Sequence, residues 1–176
     1  MSVTFAQGFS AAGVAAGISA VEGKKDMALV VNNGPLDAAA AVFTTNRFCA
    51  APVQWSRKVV ADGHVKAVIL NSGGANACTG KPGYEQSQAT AEKVAELLGA
   101  SANDFDHVLS GTEVAFAALS DSVEAGENAS YAIMTTDTKP KTVELEGSTG
   151  FRVGGMVKGS GMIAPQLATM LCVITT

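Results

Sequence analysis

Aromatic side chains are scarce in this sequence, 6% of 176 residues, and charged ones reach only 16%. Cysteine occurs three times, at Cys49, Cys78 and Cys172, with no CxxC and no Cys/His pair at zinc spacing. So odd and scattered a set excludes a disulfide scaffold, gives no reason to expect a metal, and points to a reducing compartment. No Lys/Arg run is present. Twelve basic against 16 acidic residues leave a net charge of −4, the wrong sign for a general nucleic-acid binder. The longest apolar runs stop well short of a membrane span, although mean hydropathy is +0.23. Met1 to Gly8 shows neither the basic region nor the apolar stretch of a signal peptide. The expectation from these absences is a cytoplasmic protein without nucleic-acid or membrane partners.

What is present is small and apolar. Hydrophobic residues make up 47%, and glycine occurs 19 times. The length suits one domain or a large piece of one, with a packed core. An abundance of Ala and Gly favours close backbone approach, as in layered sandwiches or tight subunit interfaces.

Residues 9–23 read as a loop or an edge strand. Met27 to Val31 is a short apolar strand stopped by the turn cluster Asn32-Asn33-Gly34-Pro35. Ala38 to Thr45 is expected to be its hairpin partner, with a helix as the alternative. Val53 to Trp55 alternates, and Val65 to Leu70 is the clearest buried strand. From Glu85 to Leu98 the period becomes helical, with Ala91, Val94, Ala95 and Leu98 on one face and Gly99 as C-terminal cap. Val114 to Val123 and Ala129 to Met134 are helix-like. Val143 to Leu145 and Arg152 to Met156 form a hairpin, and Ala168 to Thr176 reads as a central strand. The whole is a mixed αβ domain.

Several familiar signatures fail. Gly80-Lys81 after a small-residue loop would need G-x-x-x-x-G-K-[S/T] to cradle phosphate, but Ala75 and Pro82 occupy two of the fixed positions. Residues 154–161 contain no G-x-G-x-x-G between a strand and a helix. His64 and His107 sit in polar surroundings and read as surface residues. Taken alone, Lys158 is a solvated lysine in a glycine-flanked segment, Thr135 a helix-end polar residue, and Thr169 an ordinary β-branched strand residue.

Taken together, several segments change that reading. Thr135-Thr136-Asp137-Thr138, Lys158-Gly159-Ser160-Gly161-Met162 and Ala168-Thr169-Met170-Leu171 resemble the bifunctional glutamate N-acetyltransferase (ornithine acetyltransferase) family of arginine biosynthesis. Upstream, DMALVVN at 26–32, AVFTTNR at 41–47, Ala51-Pro52-Val53 and NSGGANACTG at 71–80 resemble the same family in the same order. The resemblance spans nearly the whole chain.

It implies an αββα-type layered sandwich of the N-terminal-nucleophile-like kind, completed by a C-terminal subunit. Residues 1–168 would be the α-chain domain and 169–176 the start of the β chain. The family cleaves itself before the Thr of A-T-M-L, here between Ala168 and Thr169. Thr169 Oγ would attack the Ala168 carbonyl, and hydrolysis of the ester would free a new amine. With a reference pKa of about 8, that amine serves as base for its own hydroxyl. The implied reaction is ping-pong: N2-acetylornithine acetylates Thr169, ornithine leaves, and glutamate takes the acetyl group. Many members also use acetyl-CoA as co-substrate; neither cofactor nor metal is implied. Lys158 would be the substrate-binding cation and Thr135 a substrate contact, with Thr169 both nucleophile and substrate-binding. The implied assembly is a heterotetramer of two α and two β chains.

The chain departs from the family in two places. A mature N-terminal subunit would stop at Ala168, whereas eight more residues follow, so the expectation is an uncleaved precursor cut short or a fragment of one. The other departure is internal. The family's S-T-G-x-I-G segment, whose Thr and Gly form the oxyanion hole, has no match after Ser110, where Gly111-Thr112-Glu113 follows. The expectation is a loop missing between Ser110 and Gly111, either deleted or mobile and left out of the numbering. Two other readings remain: a related Thr-nucleophile aminopeptidase-like hydrolase that passes the acyl group to water, and a non-catalytic assembly subunit.

Overall fold

The computed structural model describes residues 2–74, 77–99, 110–160 and 169–176. β1 (Phe9–Val14) and β2 (Met27–Asn32) pair antiparallel, Phe9 opposite Asn32 and Val14 opposite Met27. β3 (Ala67–Asn71) takes the other edge of β2. β2 is therefore central, and its unbroken apolar run fits a strand covered on both faces. Ala28 and Val30 join one core with Ala129, Ala132 and Ile133 at the end of α4 (Val123–Ala132). Met27, Leu29 and Val31 join another with Val94 of α2 (Gly80–Leu97) and Ala115 of α3 (Ser110–Ala117).

The second sheet is β4 (Lys141–Glu146), β5 (Arg152–Lys158) and β6 (Leu171–Thr175), antiparallel in that order. Its β4–β5 hairpin closes through Gly147, whose N–H donates to the Phe151 carbonyl at 2.8 Å. Met156 carries the inner face of β5 into the α4 core. The layers run α2 and α3, first sheet, then α4 with the inner face of the second sheet. Among the described residues, no helix is long and apolar enough to cross a membrane.

Small residues set the layer spacing. A Cβ on Gly13 would stand 2.0 Å from the Asn128 carbonyl oxygen, so only glycine lets α4 lie this close to β1. At Gly154 a Cβ would meet the Ser2 carbonyl oxygen at 2.2 Å, where the N-terminal segment crosses the second sheet. The Thr175 hydroxyl donates to the Val3 carbonyl at 2.8 Å and fastens the same crossing to β6.

The mixed αβ class, the strand at 27–31, the helix at 85–98 and the 143–156 hairpin agree with the sequence expectations. So does the edge strand within 9–23. Four expectations are corrected. Residues 38–45 are neither strand nor helix, because β1 and β3 occupy both edges of β2; only an isolated bridge, Ala38 to His64, forms there. Val53 to Trp55 belongs to α1 (Ala51–Val59), which starts with Pro in its first turn and packs Trp55 edge-on against Tyr84 of α2 at 5.9 Å. β3 is only partly buried, with Val68 exposed. β6 is an edge strand rather than a central one, and Cys172 and Ile174 are exposed on it. The helical pattern at 114–134 resolves into α3 and α4, broken at Ser120, which bridges to Ala11, and restarted at Ser122, whose hydroxyl caps α4 through the Ala125 N–H. His64 is exposed as expected, while His107 and the Val108-Leu109 pair lie outside the described residues.

Candidate active site

Three separate segments reach the same end of the second sheet. At this end β4 begins, β5 finishes and β6 begins: Lys141 pairs with Val157, and Lys158 with Leu171. Thr135 and Asp137 lead into β4. Lys158 is the last residue of β5, with Gly159 following. Thr169 stands two residues before Leu171, a distance along an extended chain of about 7 Å.

Thr135 follows α4, whose last residue, Ala132, accepts a hydrogen bond from the buried Ser72 hydroxyl at 2.8 Å. That bond ties the exit of β3 to the start of the site. The Thr135 side chain is exposed on one side, and on the other its Oγ1 accepts a hydrogen bond from Lys158 Nζ at 3.2 Å. The two residues singled out 23 positions apart are thus in contact. Lys158 is not the solvated lysine that its glycine-flanked setting implies: it is 5% exposed. Burial pulls its ammonium below the ordinary lysine range, and the Asp137 carboxylate partly opposes that.

Asp137 is the residue that sequence reasoning passed over. Its side chain is enclosed and accepts from three directions: Lys141 Nζ, the Gly159 N–H at 2.9 Å and the Thr135 N–H at 3.4 Å. The hydrogen bond from Lys141 is the main reason its carboxyl is held down at about 2. One carboxylate thereby fixes the backbone beside both Thr135 and Lys158. Two of its partners are backbone N–H groups, which leave no mark on sequence beyond an acidic residue two positions after Thr135.

An ammonium braced by a hydroxyl, open to solvent on the hydroxyl side, suits a carboxylate ligand. The Thr135 hydroxyl accepts from Lys158 and so keeps its own proton to donate. Thr169 is exposed, and among the described residues no hydrogen bond joins it to Thr135 or Lys158. Ala168 lies outside the described residues. No three His, Cys, Asp or Glu side chains gather as a metal-ligand set among the described residues.

The sequence matches the ArgJ family over residues 10–176. This chain belongs to the ArgJ family. It is 75% identical to the arginine biosynthesis bifunctional protein ArgJ of Bifidobacterium longum, an alignment covering 100% of this chain and 49% of that protein. Against the ArgJ protein of Mycobacterium tuberculosis the identity is 47%, covering 99% of this chain and 48% of that one. The chain therefore spans about half the length of the curated ArgJ relatives it matches. Its fold is that of the ornithine acetyltransferase from M. tuberculosis solved in complex with ornithine: TM-score 0.85 at 43% identity, covering 97% of this chain and 96% of that one.

The B. longum alignment extends over 190 positions for the 176 residues here, so that ArgJ relative carries residues this chain lacks. Ser110 and Gly111 open α3. Gly111 packs away from the second sheet. A Cβ on it would meet Ala16 and Met27, in the core on the far side of the first sheet from Met156 and β5. Thr112 is fully buried there as well.

Proposed function

We propose that this chain is the α-chain half of an acyltransferase of arginine biosynthesis that moves acetyl from N2-acetylornithine to glutamate. The observation that carries this reading is the meeting of Thr135, Lys158 and the approach to Thr169 at one end of the second sheet. Lys158 and Thr135 hold the substrate carboxylate, common to acetylornithine and glutamate. Thr169 Oγ attacks the acetyl carbonyl, ornithine leaves as the free amine, and glutamate nitrogen takes the acetyl group from the Thr169 ester. The freed Thr169 amine acts as base for its own hydroxyl, so the cycle needs neither cofactor nor metal. Acetyl-CoA is a second acyl donor in the same scheme.

That amine requires cleavage between Ala168 and Thr169, dividing a 1–168 domain from a β chain that begins at 169. The solved M. tuberculosis chain supports the division: this chain covers 96% of it but 48% of the curated protein from the same organism. The remaining half of the precursor would pack on the outer face of the second sheet, where Val143, Leu145 and Ile174 are each more than half exposed. Val143 and Ile174 flank Gly155 in register, so the face is continuous across all three strands. Covering it completes the sandwich, with two such pairs forming a cytoplasmic heterotetramer.

The test is acetyl transfer by full-length protein given N2-acetylornithine with and without glutamate. The proposal requires N-acetylglutamate and ornithine in equal amounts, dependent on glutamate. Acetate released without an acceptor would identify a hydrolase. No turnover from correctly assembled protein would favour an assembly subunit, the outcome expected if the protein has no counterpart of the family's S-T-G segment and that segment is indispensable.

A further inference from the structure

A cavity lies where the entrances of α1 and α2 meet, away from the Lys158 end of the second sheet. It has a volume of about 440 Å³ and is lined by Cys49, Gln54, Cys78, Thr79, Lys81 and Tyr84 among others. Two of the three cysteines thus face one space, although 29 positions separate them in sequence. Each stands two residues ahead of a helix, Cys49 before Ala51 and Cys78 before Gly80. The helices are already locked side by side one turn further on by Trp55 and Tyr84. Cys78 is exposed, and its φ of 60° is the one left-handed value at a non-glycine among the described residues. Cys49 is half-buried, and Gln54 Nε2 holds its carbonyl at 2.9 Å. Both are free thiols.

Among the described residues these two thiols have no third metal-type ligand beside them. What the two share is the chemistry of a thiol pair, oxidation to a disulfide. We propose that Cys49 and Cys78 form a dithiol that a hydroperoxide closes into an intramolecular disulfide. The exposed Cys78 thiolate attacks the peroxide oxygen, the O–O bond breaks, and a sulfenic acid forms as water or an alcohol leaves. Cys49 then attacks the Cys78 sulfur through its thiolate, the S–O bond breaks, and a second water departs with the proton lost from Cys49. Two thiols lose two protons and two electrons, and the peroxide takes up both. A disulfide needs the two Cα atoms within about 7 Å. The disulfide closes a loop that contains β3. Cys172, on β6 of the other sheet, has no place in this pair and serves as an internal control.

The test uses full-length protein, wild type and the Cys49→Ser, Cys78→Ser and Cys172→Ser variants. Each is treated with stoichiometric hydrogen peroxide, alkylated in denaturant and mapped by mass spectrometry. The expected product is a Cys49–Cys78 linked peptide, two hydrogens lighter than the pair of reduced peptides and reversed by dithiothreitol. It should persist in Cys172→Ser and vanish in the other two variants. If both thiols stay alkylatable, if oxygen adducts are the only product, or if Cys78 bridges to any other cysteine or to another chain, the proposal is wrong.

Discussion

The Lys158 ammonium donates to the Thr135 hydroxyl at 3.2 Å, and this contact joins the last residue of β5 to the segment that leaves α4. It turns two polar residues far apart in sequence into one polar site. A buried cation is costly unless something uses it, and here the exposed side of Thr135 leaves the pair facing solvent.

Lys158→Met in the full-length protein separates binding from folding. The thioether fills the buried channel without a charge to desolvate, so thermal stability is expected to hold or rise. Loss of a charge-assisted hydrogen bond to the substrate carboxylate should lower kcat/KM by about 10–100-fold. Melting temperature and steady-state transfer rates, measured side by side, check both. A variant that unfolds would show Lys158 to be structural.

Thr135→Val removes the hydroxyl that the buried Lys158 ammonium donates to. An unpartnered buried group costs about 1–3 kcal/mol, so this variant should lose stability as well as activity. Thr135→Ser, which restores the hydroxyl, should recover most of both. Chemical denaturation of the three proteins decides it.

Asp137 gives the site a pH signature. Its carboxyl falls from the ordinary 3.8 to about 2 in the folded chain, chiefly through Lys141. A folded value below the unfolded one means that the unfolded chain binds the proton more readily. The stabilisation is complete above about pH 4 and is lost as pH falls toward 2. Asp137→Asn should flatten that acid arm of the stability curve. It should also loosen Thr135 and Gly159, which the carboxylate holds by their backbones. Unfolding midpoints at a series of pH values measure the first effect, and the KM for acetylornithine the second.

Gly13→Ala tests how the layers are spaced. The added methyl would sit 2.0 Å from the Asn128 carbonyl oxygen, so α4 must back away from β1. A loss on the order of 1–3 kcal/mol is expected. No change in melting temperature would contradict the close packing of these layers.

The elements with a clean period were legible in the sequence. β2 reads as an apolar run because both its faces are covered, and α2 because Val94 and its neighbours repeat every three to four residues. α1 was hidden because the three residues Val53 to Trp55 fit either period, and its deciding contact, Trp55 on Tyr84, is tertiary. The 38–45 run has strand-like ends, but no free edge of β2 remains to receive it. Residue identities singled out Thr135 and Lys158, yet the burial of Lys158 was invisible. Its flanking glycines read as an open loop, whereas Gly154 and Gly155 lie within a covered strand. Asp137 went unnoticed because its work is done on backbone N–H groups, which every residue but proline possesses.

The most direct test of the account is the intact mass of chains made from the full-length coding sequence, beside a Thr169→Ala control. The account predicts two chains meeting at Ala168 and Thr169 in the wild type and one uncut chain in the variant. A single uncut chain in both would make Thr169 an ordinary residue ahead of β6 and contradict the proposed nucleophile.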